Sequence, residues 1–171
     1  NDRYTPTFNI HEAVRKTLPY MMEMREYFHA HPELMKKEFD TCKTIFQELS
    51  LMGIEDVIIA GTGVTGLIHG ALPGPVILLR ADIDALPLTE KFDCPYSSLV
   101  DGVMHACGHD GHAANLLGVA KILNKHKELL RGTIAWPSAG EKKGNGGAAR
   151  MIDAGILKNP RVDYALGLHV A

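Results

Sequence analysis

Apolar residues recur at helical spacing over residues 11–30, where Val14, Leu18, Met21, Met22 and Tyr27 mark the pattern. Pro19 lies inside that run and predicts a split or a kink, because proline removes a backbone donor and crowds the preceding turn. Residues 39–52 repeat the period with Cys42, Ile45, Phe46 and Leu49, and Gly53 is a natural stop. Short β-rich runs follow at 57–60, 66–69 and 76–80, punctuated by Gly61, Gly63, Pro73 and Gly74. Residues 110–130 give the clearest helix, with Leu116, Leu117, Val119, Ala120, Ile122 and Leu123. A strand near 133–136, a glycine-rich loop, a helix near 147–157 and a strand near 164–170 complete the order. This alternation predicts an α/β fold, a three-layer sandwich on a mostly parallel mixed sheet. The near-continuous apolar runs at 76–80 and 164–170 predict central strands buried on both faces, covered by the helices that begin at Phe39 and Asp110.

Composition narrows the classes of function. A length of 171 residues allows one domain with a real core. The net charge of -2 offers no basic field for nucleic acid. No apolar run approaches a membrane span, and the first residues lack the basic-then-apolar pattern of a signal peptide. Three cysteines, Cys42, Cys94 and Cys107, argue against a disulfide framework and for a reducing, cytoplasmic setting.

The chemistry concentrates at residues 104–112, Met-His-Ala-Cys-Gly-His-Asp-Gly-His. His105, Cys107, His109, Asp110 and His112 supply imidazole, thiolate and carboxylate, the donors that hold borderline divalent metals. As a strand, His105, Cys107 and His109 would share one face. The apolar stripe that follows places the cluster where a strand or turn feeds a helix. A lone Cys or His is usually structural, but five donors in so short a stretch point to a metal site. A cysteine nucleophile fits less well, because Cys107 is flanked by two histidines at metal-sharing spacing. Asp82 and Asp84, two apart at the end of an apolar run, form a second element, read equally well as a solvated charge pair. Glu141, in a glycine-rich loop after a strand, is a third, and His169, within an apolar strand, a fourth.

Several segments together carry a resemblance. They are residues 28–34 (Phe-His-Ala-His-Pro-Glu-Leu), 61–66 (Gly-Thr-Gly-Val-Thr-Gly), 80–87 (Arg-Ala-Asp-Ile-Asp-Ala-Leu-Pro), 104–112, 146–152 and 167–170 (Gly-Leu-His-Val). In this order they resemble the N-terminal part of the catalytic domain of M20 metallopeptidases, in the amidohydrolase branch that acts on N-acyl amino acids, hippurate and auxin conjugates. The resemblance implies a hydrolase with two divalent ions, zinc, manganese, cobalt or nickel. It implies Cys107, His109 and His169 as metal ligands and Asp84 as a catalytic aspartate. The ions would polarise the scissile carbonyl and acidify a water, and a glutamate would carry the proton to the leaving amine. The implied partner is a small N-acyl amino acid or peptide, with neither nucleic acid nor membrane, and a homo-oligomer is compatible with the family.

Two departures from the family pattern stand out. The family has adjacent glutamates, a general base and then a metal ligand, where this chain reads Ala139-Gly-Glu-Lys-Lys143. Aligned from the following glycines, Glu141 is the base and Lys142 replaces the ligand. Aligned from Trp136, Gly140 replaces the base and Glu141 is the ligand. The second departure is that the sequence stops after the His169 strand, so a lid and dimerisation domain and a further ligand histidine are expected to be absent, with the chain alone inactive. The alternative function is a non-catalytic metal-binding or interaction module. A zinc nucleobase deaminase would require a Pro-Cys-x-x-Cys segment that this sequence lacks.

Overall fold

The computed structural model describes residues 8–55, 57–139 and 147–170. Helix α1 spans Ile10–Ala30 and is capped by the Asn9 side chain, which accepts the Glu12 N–H at 3.0 Å. Pro19 sits within it without splitting it, so of the two outcomes expected the split does not occur. Burial of Met24 and Phe28 anchors the half of α1 beyond the proline. Helix α2, Phe39–Leu51, ends where Gly53 takes φ 79° and the Ile54 N–H turns back to the Leu49 carbonyl at 3.1 Å.

Strands β1 (Val57–Ala60), β2 (Gly63–His69) and β3 (Leu72–Arg80) come next, then helix α3 (His109–Lys125). A short 3-10 turn at Lys127–Leu129 ends α3 earlier than its apolar stripe predicts. Strand β4 (Arg131–Ser138), helix α4 (Gly147–Asp153) and strand β5 (Tyr164–Gly167) follow. The five strands lie in the order β1-β2-β4-β3-β5. The β1–β2 and β2–β4 pairs are antiparallel, and β4–β3 and β3–β5 are parallel.

Alternation of side chains across the strands sorts the layers. Val64, Ile68, Ile134 and Trp136 join Met24, Phe28, Ile45, Leu49, Leu116 and Leu117 in the core under α1, α2 and α3. Residues between them face the other way. Leu78 and Pro137 line a cavity there with Met151, Ile152 and Ile156 of α4 and its following turn. The chain is therefore a mixed α/β sandwich, with α1, α2 and α3 on one face of the sheet and α4 on the other.

One strand departs from expectation. Strand β3 is interior, but β5 is an edge strand, and Tyr164 and Leu166 are 62% and 61% exposed. Its apolar sequence is that of a covered strand, yet no described residue covers it. Periodicity reports what a strand can bury, not what lies against it.

The β3–β4 junction sets a tight constraint. Register slips between Leu72 and Val76, and Gly132 takes φ 85°. A Cβ there would lie 1.9 Å from the Pro75 carbonyl oxygen. The Gly132→Ala substitution should cost about 2–4 kcal/mol, by backbone strain and forced separation of the strands. Urea unfolding checks this; a change under about 0.5 kcal/mol would contradict it.

Candidate metal centre

Past the end of β3 the chain stays extended. Ala81 bridges to Ser138, Ala85 to Leu34 and Leu86 to Met104. Ile83 in this stretch is completely buried, and Asp82 and Asp84 on either side of it are nearly so. Buried carboxylates need partners. Asp82 pairs with Arg80. Asp84 receives His109 Nδ1, which lies 3.0 Å from Asp84 Oδ1 and 2.9 Å from the Asp84 carbonyl oxygen.

Residues 105–108 form a turn rather than a strand, so His105 and Cys107 do not share a face: His105 is buried and Cys107 is exposed. Gly108 then takes φ 79° as the N-cap of α3. A Cβ on Gly108 would lie 2.8 Å from Val170 Cγ2, so only glycine lets the segment after β5 pass this close. That segment delivers His169, whose Nε2 lies 3.3 Å from His109 Nε2 and 3.5 Å from Cys107 Sγ. The Val170 N–H donates to His112 Nε2 at 3.0 Å, which ties the segment to the first turn of α3.

One ligand atom from each of Asp82, His109, His112 and His169 lies within 4.8 Å of the others, a group that could hold a metal ion. The fit is chemically specific. Asp84 fixes His109 through Nδ1 and leaves Nε2 pointing at His169, the carboxylate–imidazole arrangement that orients metal-binding histidines. His112 is the weaker member. Its Nε2 is occupied by the Val170 amide, while its buried Nδ1 has no partner.

The imidazoles experience opposed fields. Burial works against protonation of His109, but the hydrogen bond and charge of Asp84, helped by Asp82, outweigh it and raise its pKa. Burial lowers the pKa of His112, and the neighbouring His109 and His169 add to the effect. Burial likewise pushes His105 down to about 4, and both its ring nitrogens are without a hydrogen-bond partner.

The residues expected from sequence divide as follows. His169 meets both Cys107 and His109, Asp84 backs His109, and Cys107 is not a member of the four-residue donor group. Glu141 and Lys142 lie outside the described residues. Asp110, one of the five donors in the cluster, faces away and pairs with Arg25 and His29. The sequence offered Asp82 and His112 as donors without a role. Their two- and three-residue offsets from Asp84 and His109 were the available signal.

The family model for "Peptidase family M20/M25/M40" matches residues 78–171, more than half of the chain. The chain belongs to this family. A thermostable carboxypeptidase of Saccharolobus solfataricus is 43% identical over 162 residues, 92% of this chain and 41% of its own length. An N-acetylcysteine deacetylase of Bacillus subtilis is 42% identical over 151 residues, 87% of this chain and 39% of its own. The crystal structure of the Bacillus subtilis YXEP protein, described as a dinuclear metal binding peptidase of the M20 family, superposes with TM-score 0.85 at 38% identity. That match covers 92% of this chain and 44% of the other. The chain thus spans about two fifths of the length of these relatives.

Behind Asp84 the fold buries a second carboxyl. Glu38, at the N-cap of α2, is 0% exposed. Burial raises its pKa and the charge of Asp84 adds to this, against a weaker opposite pull from the local backbone and Thr62. A raised folded-state pKa gives stability that is complete below the ordinary value of 4.5 and is lost as pH rises through the folded value. Glu38→Gln should therefore flatten that loss. It should make the protein about 1–3 kcal/mol more stable near neutrality while changing little at acid pH. Urea unfolding of both proteins across that pH range is the check, and equal slopes would contradict the assignment.

Proposed function

We propose that this chain carries the N-terminal part of the catalytic centre of a metal-dependent amidohydrolase that cleaves the amide bond of N-acyl amino acids or related conjugates. One observation supports the reading: Asp82, His109, His112 and His169 gather donor atoms where parallel strands β3 and β5 run out, and Cys107 Sγ lies 3.5 Å from His169 Nε2. Sites of open α/β sheets sit at such strand ends. The deacetylase and carboxypeptidase activities named for the relatives support the reaction class.

In this reading Cys107, His109 and His169 would hold a pair of divalent ions, with Asp82 as a further donor within reach. Bound ions would supply Lewis acidity toward the amide carbonyl and toward an attacking water. Asp84 keeps the His109 ring in one tautomer and one orientation. His112 holds Val170, and with it His169, against α3. Glu141 would serve either as the base that carries the proton from the water to the leaving amine or as a further metal ligand. The convergence of donors favours this over a non-catalytic interaction module. Among the described residues no helix is long and apolar enough to cross a membrane. A cytoplasmic enzyme acting on a small substrate, assembled as a homo-oligomer, fits the reading.

Metal binding by the purified chain is the direct test. Zinc or manganese should bind, and Cys107→Ser or His109→Ala should weaken binding at least ~10-fold without unfolding the protein. A folded chain with no added metal bound would refute the reading. The loop offers a second test. If Glu141 is the base, Lys142→Glu supplies the missing ligand and should raise chelator-sensitive hydrolysis of N-acetyl amino acids. If Glu141 is the ligand, Gly140→Glu should do so instead. Restoring a general base is worth roughly 10²–10⁴-fold. Hydrolysis insensitive to chelator, or unchanged by Glu141→Gln, would rule out this mechanism.

A further inference from the structure

His29 lies near the C-terminal end of α1 with its side chain 7% exposed, and both ring nitrogens meet carboxylates. Nδ1 is 2.7 Å from Asp110 Oδ2 and Nε2 is 2.9 Å from Glu90 Oε1. Asp110 also pairs with Arg25 Nε at 3.0 Å. Two residues of α1, four apart and on one helix face, therefore grip one carboxylate in the first turn of α3.

The position of that grip matters. Asp110 follows His109 directly and precedes His112 by two. Successive helical residues are set about 100° apart, so fixing Asp110 fixes the rotation of α3 about its own axis. That rotation decides whether His109 and His112 face His169.

The second arm acts on the loop. Residues 87–108 form no helix or strand, and loops of that length without their own regular structure are uncommon unless functional. Glu90 Oε2 accepts the Ser98 N–H at 2.6 Å, and Ser98 Oγ donates to the Val103 carbonyl at 2.6 Å. The Leu99 N–H reaches the Ala30 carbonyl, the residue after His29, at 2.9 Å. This chain of bonds runs from His29 through the loop toward Cys107.

We propose that His29 is the positioning residue of the metal centre: its two ring nitrogens join the Glu90 loop to the first turn of α3 and so set Cys107 and His109 in register. The inference rests on the metal-centre reading above. It differs from a purely structural role in one respect, that loosening His29 should disturb ligand geometry in a protein that stays folded.

Cobalt is the probe, because a thiolate–cobalt charge-transfer band reports Cys107 at the ion. His29→Gln keeps an amide near the Nε2 position and so the Glu90 arm. His29→Asn keeps one near Nδ1 and so the Asp110 arm. Both should fold by circular dichroism and weaken cobalt binding. The effect should be at least ~10-fold in His29→Gln, the usual scale for a residue that orients a ligand, and smaller in His29→Asn. The band should weaken or shift in both. Folded variants that bind cobalt within about twofold of the wild type, with the same band, would overturn the proposal. If the His29 variants do not fold, Glu90→Gln releases the loop arm alone, and the same two outcomes decide. Wild-type protein that binds no cobalt would sink the metal-centre reading itself. Wild-type binding that His29 variants share would sink only this inference.

Discussion

The contact between Asp84 and His109 is the constraint on which the site depends. Asp84 belongs to the extended stretch beyond β3, and His109 opens α3. Their two hydrogen bonds join sheet to helix, although the residues are 25 positions apart. A buried carboxylate without a partner is expensive, so burial selects this pairing and, with it, the orientation of the imidazole. With Nδ1 committed, Nε2 can point only into the space that His169 and Cys107 also face. Gly108 makes the approach possible, since its left-handed backbone turns the chain into α3 and its missing side chain admits Val170.

Polar contacts on the opposite side of α3 reinforce that contact. The His29–Asp110–Arg25 cluster sits on the far side of the same helical turn, so the first turn of α3 is held from both sides. Both anchors add to the core packing of Ala113, Leu116, Leu117 and Ala120 in fixing the rotation of α3. His112 then uses the fixed turn to capture the Val170 amide and bring the β5 end of the sheet over it. Sheet, loop and helix are thereby coupled through largely buried ionisable groups.

Much of this was legible in the sequence. The density of donors at 104–112 marked the centre, and the turn that feeds α3 lies where the apolar stripe begins. The family motifs assigned Cys107, His109, His169 and Asp84; in the structure His169 lies beside both Cys107 and His109, and Asp84 against His109. Other features could not be read. Asp110 is a donor by composition, but helical rotation turns it toward α1, and its partner Arg25 is 85 positions distant. Pro19 signals a break, yet α1 runs on through it. The apolar run after Tyr164 describes a covered strand without saying what covers it. Burial of the Glu38 carboxyl has no local signature at all.

The central claim is that these side chains form one metal centre. Anomalous diffraction from crystals of the zinc-loaded chain tests it most directly. The account predicts a zinc peak about 2.0–2.3 Å from the nitrogens of His109 and His169 and from the Cys107 sulfur. A zinc ion bound elsewhere, or crystals in which His109 Nε2 faces no ion at saturating zinc, would contradict it.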